Sequence, residues 1–256
     1  MAQKMPVLFI GHGSPMNIVQ DNAYTRDLAA LGRTLPRPRA ILVVSAHWLT
    51  EGSFVSPQEA PKQIYDFHGF PEELYRVKYP AKGSPALAQR ASELASGIRP
   101  SAEWGLDHAS WAVLIHLFPK ADIPVVELSL DLNMPPERHY QSGRSLVPLR
   151  DEGVLVIGSG NIVHNLRILD WEDVNARPYD WAARFDAEAR RRLLERDHKG
   201  LAGYKRLPEA ARAVPTPDHY LPMLYILGMQ GDNECLAFTH EGFQNASISM
   251  RCFRIG

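Results

Sequence analysis

The sequence predicts an α/β fold on an open, mostly parallel sheet, with a functional site gathered at the carboxyl ends of the strands. Three observations carry that expectation. Short apolar runs at residues 6–10, 40–45 and 154–157 have the length and β-branched or aromatic content of buried strands. Each run stops at small residues that lead to a histidine: Gly11-His12-Gly13, Ser45-Ala46-His47, and Gly158-Ser159-Gly160-Asn161-Ile162-Val163-His164. Stretches rich in alanine, leucine and charged residues, of helical composition, lie between and after these runs. Open α/β sheets collect ligands beyond the carboxyl ends of their strands, so three strand ends bearing histidine point to one shared site.

In chain order, the strand at 6–10 delivers His12 to a loop whose glycines remove side-chain bulk and let another group approach the imidazole. Residues 23–31 read as an amphipathic helix with Tyr24, Leu28 and Leu31 at helical spacing, ended by Pro36-Arg37-Pro38 before the second strand. Residues 51–83 have no clear period and are broken repeatedly by glycine and proline, which reads as a functional loop or lid carrying Tyr65-Asp66-Phe67-His68-Gly69-Phe70-Pro71. A helix at 85–96 is opened by Ser84 and closed near Gly97. Trp104-Gly105-Leu106-Asp107-His108 leads into an apolar helix at 112–118, placing Asp107 and His108 near a helix N-terminus where a neutral imidazole is favoured. His116, on that helix, reads as a core or edge histidine with its hydrogen bonds satisfied.

Residues 123–130 read as another buried strand, and Pro135-Pro136 opens a helix on which His139 faces solvent. A helix at 181–197 carries Arg190, Arg191 and Arg192 on a solvated face, with His198 at its C-terminal end. Asp218-His219-Tyr220 precedes an apolar helix at 221–228, and residues 246–253 alternate as an antiparallel edge strand would.

The 256 residues fit one large α/β domain or two small ones, and no Ser/Gly-rich or charged linker marks a boundary. With 45% hydrophobic and 22% charged residues, the balance is that of a soluble enzyme with a sizeable core. A formal net charge of −1 gives no electrostatic ground for a nucleic-acid or anionic-membrane partner. No stretch approaches the ~20 apolar residues of a membrane helix, and no signal peptide is evident. Cys235 and Cys252 are isolated and read as packing thiols, consistent with a cytoplasmic protein.

Any one of these histidines alone is most simply a hydrogen-bonded side chain at the end of a strand. Three repeats of strand, small residues and histidine favour a metal site instead, because neutral imidazole ligates zinc, iron, copper and nickel.

Six motifs then stand in order: Gly11-His12-Gly13-Ser14-Pro15; Ser45-Ala46-His47-Trp48; Asp66-Phe67-His68-Gly69-Phe70-Pro71 with Leu74-Tyr75 and Tyr79-Pro80-Ala81; Gly105-Leu106-Asp107-His108; Gly158-Ser159-Gly160-Asn161-Ile162-Val163-His164-Asn165-Leu166; and Thr216-Pro217-Asp218-His219-Tyr220-Leu221-Pro222. Over nearly the whole chain the set resembles the class III extradiol ring-cleavage dioxygenases, in the 4,5-DOPA dioxygenase branch related to the catalytic subunit of protocatechuate 4,5-dioxygenase. The resemblance implies a single α/β domain over residues 1–256, with helices flanking a central mixed sheet and one divalent metal at its carboxyl edge. It maps His12, His47 and His219 onto metal-ligand positions. His164 maps onto a further ligand of zinc-loaded members and onto the catalytic base of iron-dependent relatives, and His108 onto an active-site histidine behind the ligands. His68 matches the motif without a role. One departure is that His219 stands where the protocatechuate relatives place a glutamate. The resemblance implies Fe(II) for dioxygenase activity or Zn(II) in zinc-loaded members, with a small aromatic catechol such as L-DOPA and dioxygen as substrates. The expected product is a ring-opened semialdehyde of the 4,5-seco-DOPA type, with His108 and His164 as acid and base.

Trp48, Trp104, Trp111 and Tyr220 are candidates for an aromatic pocket wall, or for ordinary core packing, and Arg76 and Lys78 for partners of a substrate carboxylate. Two rivals use the same residues: a zinc hydrolase that activates a metal-bound water, and a non-enzymatic binding protein on the same fold.

Overall fold

The computed structural model describes residues 4–256. Ten strands are present among them: β1 (Val7–Gly11), β2 (Ala40–Thr50), β3 (Ser53–Val55), β4 (Ile98–Pro100), β5 (Val125–Asp131), β6 (Val154–Gly160), β7 (Leu236–His240), β8 (Phe243–Gln244), β9 (Ile248–Ser249) and β10 (Cys252–Ile255). Eight of them form one sheet in the order β4-β3-β5-β2-β6-β1-β10-β7, while β8 and β9 pair separately. Its centre, β5-β2-β6-β1, is parallel, and β10 and β7 extend it antiparallel.

The helices are α1 (Ala23–Thr34), α2 (Glu72–Arg76), α3 (Pro85–Leu94), α4 (His108–Leu117), α5 (Pro136–Ser145), α6 (Pro148–Asp151), α7 (Asp180–Leu194), α8 (His198–Ala202), α9 (Ala210–Ala213) and α10 (Leu221–Gly228). Because successive strand residues point to opposite faces, the continuous apolar runs feed two cores. Leu8, Ile10, Ile41, Val43, Val125 and Ile157 pack with α1 and α4. Val7, Phe9, Leu42, Val44, Val126 and Val156 pack with α3, α7 and α10. α10 is buried at all eight positions, which explains a helix with no polar face.

Parallel register sets the site's position. Gly11 lies opposite Gly160, and Ser45 opposite Ser159, so β1, β2 and β6 reach the same edge at the same level. β2 runs further than the apolar run suggests, continuing through His47 to Thr50, with a register irregularity against β5 between Val44 and Leu49. An extra residue in one strand bends it and re-aims a side chain, so His47 is presented from an irregular strand rather than from a loop.

Several expectations are corrected. The C-terminal segment divides into β9 and β10, and β10 lies inside the sheet between β1 and β7, which takes the edge. His198 opens α8 behind the Asp197 cap instead of closing α7. Residues 51–83 contain β3 and α2, and Leu74 and Tyr79 anchor them in the α1/α4 core. Cys252 is buried and packs as expected, whereas Cys235 is exposed.

His139 is fully buried rather than solvent-facing, since α5 turns that side toward α10, and its Nδ1 lies 3.4 Å from the Tyr225 hydroxyl. Burial pushes its pKa down to about 4 against partial support from the Met134 and Asp131 carbonyls. The folded protein thus binds this proton less readily than the unfolded chain. The stabilising contribution is complete above about pH 6.5 and is lost as the pH falls toward 4, by up to roughly 3 kcal/mol. Urea unfolding at pH 7 and pH 5 is expected to show this loss, with a smaller pH dependence in His139→Gln.

Candidate metal centre

The strand ends deliver their histidines to one cavity of about 330 Å³, lined by His12, His47, His108, His164 and His219 among others. His12, His47 and His219 form a nearly equilateral triangle: their ring centroids stand 5.1, 5.0 and 5.1 Å apart. His12 follows β1, His47 comes from β2, and His219 sits immediately before Tyr220 and the start of α10. Close backbone approach sets the last of these. A Cβ on Gly160 would stand 2.1 Å from the His219 carbonyl oxygen, so only glycine lets β6 meet that segment, where the Asn161 amide donates to the same carbonyl at 2.8 Å.

Each of the three rings uses Nδ1 on a protein partner. His12 Nδ1 lies 3.0 Å from Ser159 Oγ, His47 Nδ1 lies 3.0 Å from Asp66 Oδ2, and His219 Nδ1 bonds Asp218 Oδ2. The carboxylates beside His47 and His219 accept from Nδ1, and the Ser159 hydroxyl can accept from His12 in the same way, which suits the tautomer with an Nε2 lone pair that a metal ligand needs. Nitrogens bound about 2.1 Å from one ion stand about 3.0–3.4 Å apart, and Nε2 of His12 and of His47 are separated by 3.2 Å. Ligating atoms lie within 4.8 Å of one another in two groups, His12 with His47 and His108, and His164 with Asp218 and His219, and this His-rich set is compatible with a single divalent metal.

Electrostatics agree. Burial, then the neighbouring imidazoles, hold His12 and His219 well below the ordinary histidine pKa, so both rings are neutral. For His47, burial pulls downward but is outweighed by the Asp66 hydrogen bond and nearby carboxylates, and the pKa rises. Asp66 is itself subject to an upward push from burial, overcome by hydrogen bonds from His108 and His47, which leaves it ionised.

Asp66 also clasps His108, accepting from its backbone amide at 2.9 Å through Oδ1 and from Nδ1 at 2.9 Å through Oδ2. His108 begins α4 behind the Asp107 cap, 4.1 Å from His47 between centroids, and burial followed by the His47 charge lowers its pKa. His164 stacks on His219 with centroids 3.5 Å apart and planes 7° from parallel, and burial brings it down to about 4. Behind the site, Ser45 Oγ donates to Asp107 at 2.7 Å, and Trp104 Nε1 donates to both Asp107 and Glu127 at 3.1 Å. Burial and the Asp107 charge push the Glu127 carboxyl well above the usual carboxylate range.

The structure brings the five histidines together in one cavity, and of the two readings open for the nearby aromatic residues it takes the one off the wall. Trp48, Trp111 and Tyr220 are core residues, Trp104 holds the Asp107–Glu127 pair, and none lines the cavity. Arg76 pairs with Glu72, and Lys78 donates to the Tyr65 hydroxyl, both outside the cavity. Apolar walls come instead from Phe67, Phe70, Leu166, Leu169, Trp171 and Ile248. His68 does line the cavity. Asp66, Asp218 and Ser159 are the functional partners that sequence reasoning missed; each adjoins or shares a motif with a singled-out histidine, which is the signal that was available.

A sheet edge that gathers five histidines in one cavity, with Nε2 of His12 and His47 3.2 Å apart, defines an α/β protein able to hold one metal ion. The family described as the catalytic LigB subunit of aromatic ring-opening dioxygenase matches residues 7–251, and the chain belongs to that family. A protein of Escherichia coli (strain K12) named 4,5-DOPA dioxygenase extradiol is 47% identical over 99% of this chain and 95% of its own. One of Beta vulgaris with the same name is 34% identical over 96% of this chain and 94% of its own. The crystal structure of an uncharacterized protein from Escherichia coli K12 matches with a TM-score of 0.86 at 44% identity, covering 98% of this chain and 100% of that one. Among the described residues no helix is long and apolar enough to cross a membrane.

Loss of the Nδ1 partner of a ligand weakens metal binding by about 10- to 100-fold. Ser159→Ala is expected to fall in that range when affinity is measured by competition with a chelator.

Proposed function

We propose that this extradiol dioxygenase opens the aromatic ring of a catechol such as L-DOPA with dioxygen, giving a ring-opened semialdehyde of the 4,5-seco-DOPA type. The observation that carries the reading is the triangle of His12, His47 and His219, each with Nδ1 partnered and Nε2 free, beside two further histidines in one apolar-walled cavity. These three residues hold the metal: Fe(II) for ring cleavage, with Zn(II) also suited to so neutral a donor set. When bound, a redox-active divalent ion supplies open positions for a chelating catecholate and for dioxygen.

The chain's own residues then handle protons and exclude water. Asp66 keeps the His108 proton on Nδ1, so Nε2 is the atom that accepts a catechol hydroxyl proton, and the carboxylate stabilises the imidazolium that results. His164, held parallel to His219, is the second proton-transfer group, or a fourth ligand in a zinc form. Phe67, Phe70 and Ile248 shield the reacting ring from solvent. Residues 1–256 act as one catalytic unit in the cytoplasm, on a small aromatic substrate and without nucleic acid.

The test is oxygen uptake by protein reconstituted anaerobically with Fe(II), and separately with Zn(II), over a panel of catechols that includes L-DOPA. Fe-dependent uptake with a yellow ring-opened product is expected; none across the panel at confirmed iron occupancy overturns the reading. His47→Ala is expected to lose metal and turnover together. His108→Ala is expected to retain metal by elemental analysis while turnover falls by about 10²- to 10⁴-fold.

A further inference from the structure

Six histidines line the cavity, and five of them belong to its floor: four are bonded through Nδ1 to a protein partner, and His164 is stacked on His219. The sixth, His68, stands on the wall between Phe67 and Phe70 and is exposed. Among the described residues its imidazole has no hydrogen-bond, ion-pair or ring partner, although its neighbours Phe67 and Phe70 pack on each other. An imidazole always carries at least one N–H, so a ring that lines a cavity without a protein partner offers that donor to whatever enters.

The backbone that carries His68 is fixed to the site. Asp66 accepts from the His108 amide and from His108 Nδ1, each at 2.9 Å, and from His47 Nδ1 at 3.0 Å. Phe67 is buried with its ring perpendicular to His108 at 5.5 Å between centroids and stands 5.4 Å from Phe70, while its carbonyl accepts from the Tyr75 hydroxyl at 3.3 Å. Gly69 has a φ of 78° and open space where a Cβ would stand, so the chain turns there without crowding the imidazole. A donor on a fixed base loses little freedom when it engages a ligand.

The group that His68 meets follows from the pose of the ring. With both catechol oxygens at the histidine floor, the far edge of the ring and its substituent face the mouth. Two rims flank that substituent: Phe67 and His68 come in beside His108, whereas Leu166, Leu169 and Trp171 follow His164. The second rim is acidic, with Glu172 and Asp173 exposed next to Trp171, and suits an ammonium group. Arg167 is exposed between the lining residues Leu166 and Leu169; at three residues per turn those two share a face, and Arg167 leaves on another. An imidazole N–H complements a carboxylate and not an ammonium, so His68 and the acidic rim divide the two charges of an amino-acid side chain between them.

We propose that His68 is a specificity-determining residue whose imidazole N–H donates to the carboxylate of the substrate's ring substituent at the cavity mouth. The inference rests on the catechol reading above and deepens it, because it assigns the recognition of the side chain to a residue apart from the metal and the proton-transfer groups. The bond is charge-assisted, the kind that adds most to discrimination.

The experiment is anaerobic calorimetric titration of the Zn(II)-loaded protein with two matched pairs of ligands, L-DOPA with dopamine and 3-(3,4-dihydroxyphenyl)propanoate with 4-propylcatechol. Each pair differs mainly in the carboxylate, one in the presence of an ammonium and one without it, and binding is read without turnover. A hydrogen bond of this kind is worth about three- to tenfold in affinity. In His68→Ala the carboxylate ligand of each pair is therefore expected to lose about threefold or more relative to its partner, with part of the loss restored in His68→Gln, whose amide keeps an N–H donor. Arg167→Ala is expected to leave both ratios as in the wild type. A smaller change in either pair for His68→Ala overturns the inference, as does the loss appearing in Arg167→Ala instead, or no binding of any of the four. Oxygen uptake by the iron form is scored separately. The expected binding pattern without uptake sinks the dioxygenase reading alone, and uptake with ratios unmoved by His68→Ala sinks this inference alone.

Discussion

Several imidazoles can share so small a volume only while most of them stay neutral, and the rest of the site follows from meeting that constraint. Burial and mutual repulsion keep His12 and His219 uncharged, and the partners on Nδ1 decide where the remaining proton sits. Asp66 does this for two rings at once, and so couples His47, in the histidine triangle, to His108. The carboxylates lie behind the rings instead of among the free Nε2 atoms. They tune the donors without neutralising a bound cation directly, which leaves its charge available to an anionic chelating ligand.

The fold supplies the required coincidence of position. Parallel register brings β1 and β6 to the same level, an irregularity in β2 re-aims His47, and Gly160 lets the segment before α10 come within hydrogen-bonding distance of β6. A side chain at Gly160 would collide with backbone rather than with a movable group, so that contact has little room to adjust.

The strands and their histidines were legible because each combines an unmistakable apolar run with an abrupt stop, and the parallel centre follows from runs with no polar face. The ordered motifs added His219 and His108, which no strand pattern would have grouped. Other features depend on tertiary placement. His139 looks polar and exposed in a charged helix, yet the rotation of α5 against α10 buries it. Wall and core were both open to the tryptophans nearest the histidines in sequence and none lines the cavity, while Trp171, in an acidic stretch with no period, does. Proximity in sequence says little about which side of a sheet edge a side chain takes. The register shift in β2 is likewise invisible to an apolar pattern that stops at Ser45.

The sheet topology also dictates when the centre can exist. β1, which leads to His12, is flanked on one side by β6 and on the other by β10, and Gly11 donates to the Cys252 sulfur across 241 residues of chain. His219 arrives only with α10, late in the sequence. During synthesis the nascent chain can present His12 and His47 well before the third corner of the triangle emerges from the ribosome. The triangle is therefore completed late, with the closing of long-range contacts that form slowly. A partly folded chain offers at most two corners of the histidine triangle.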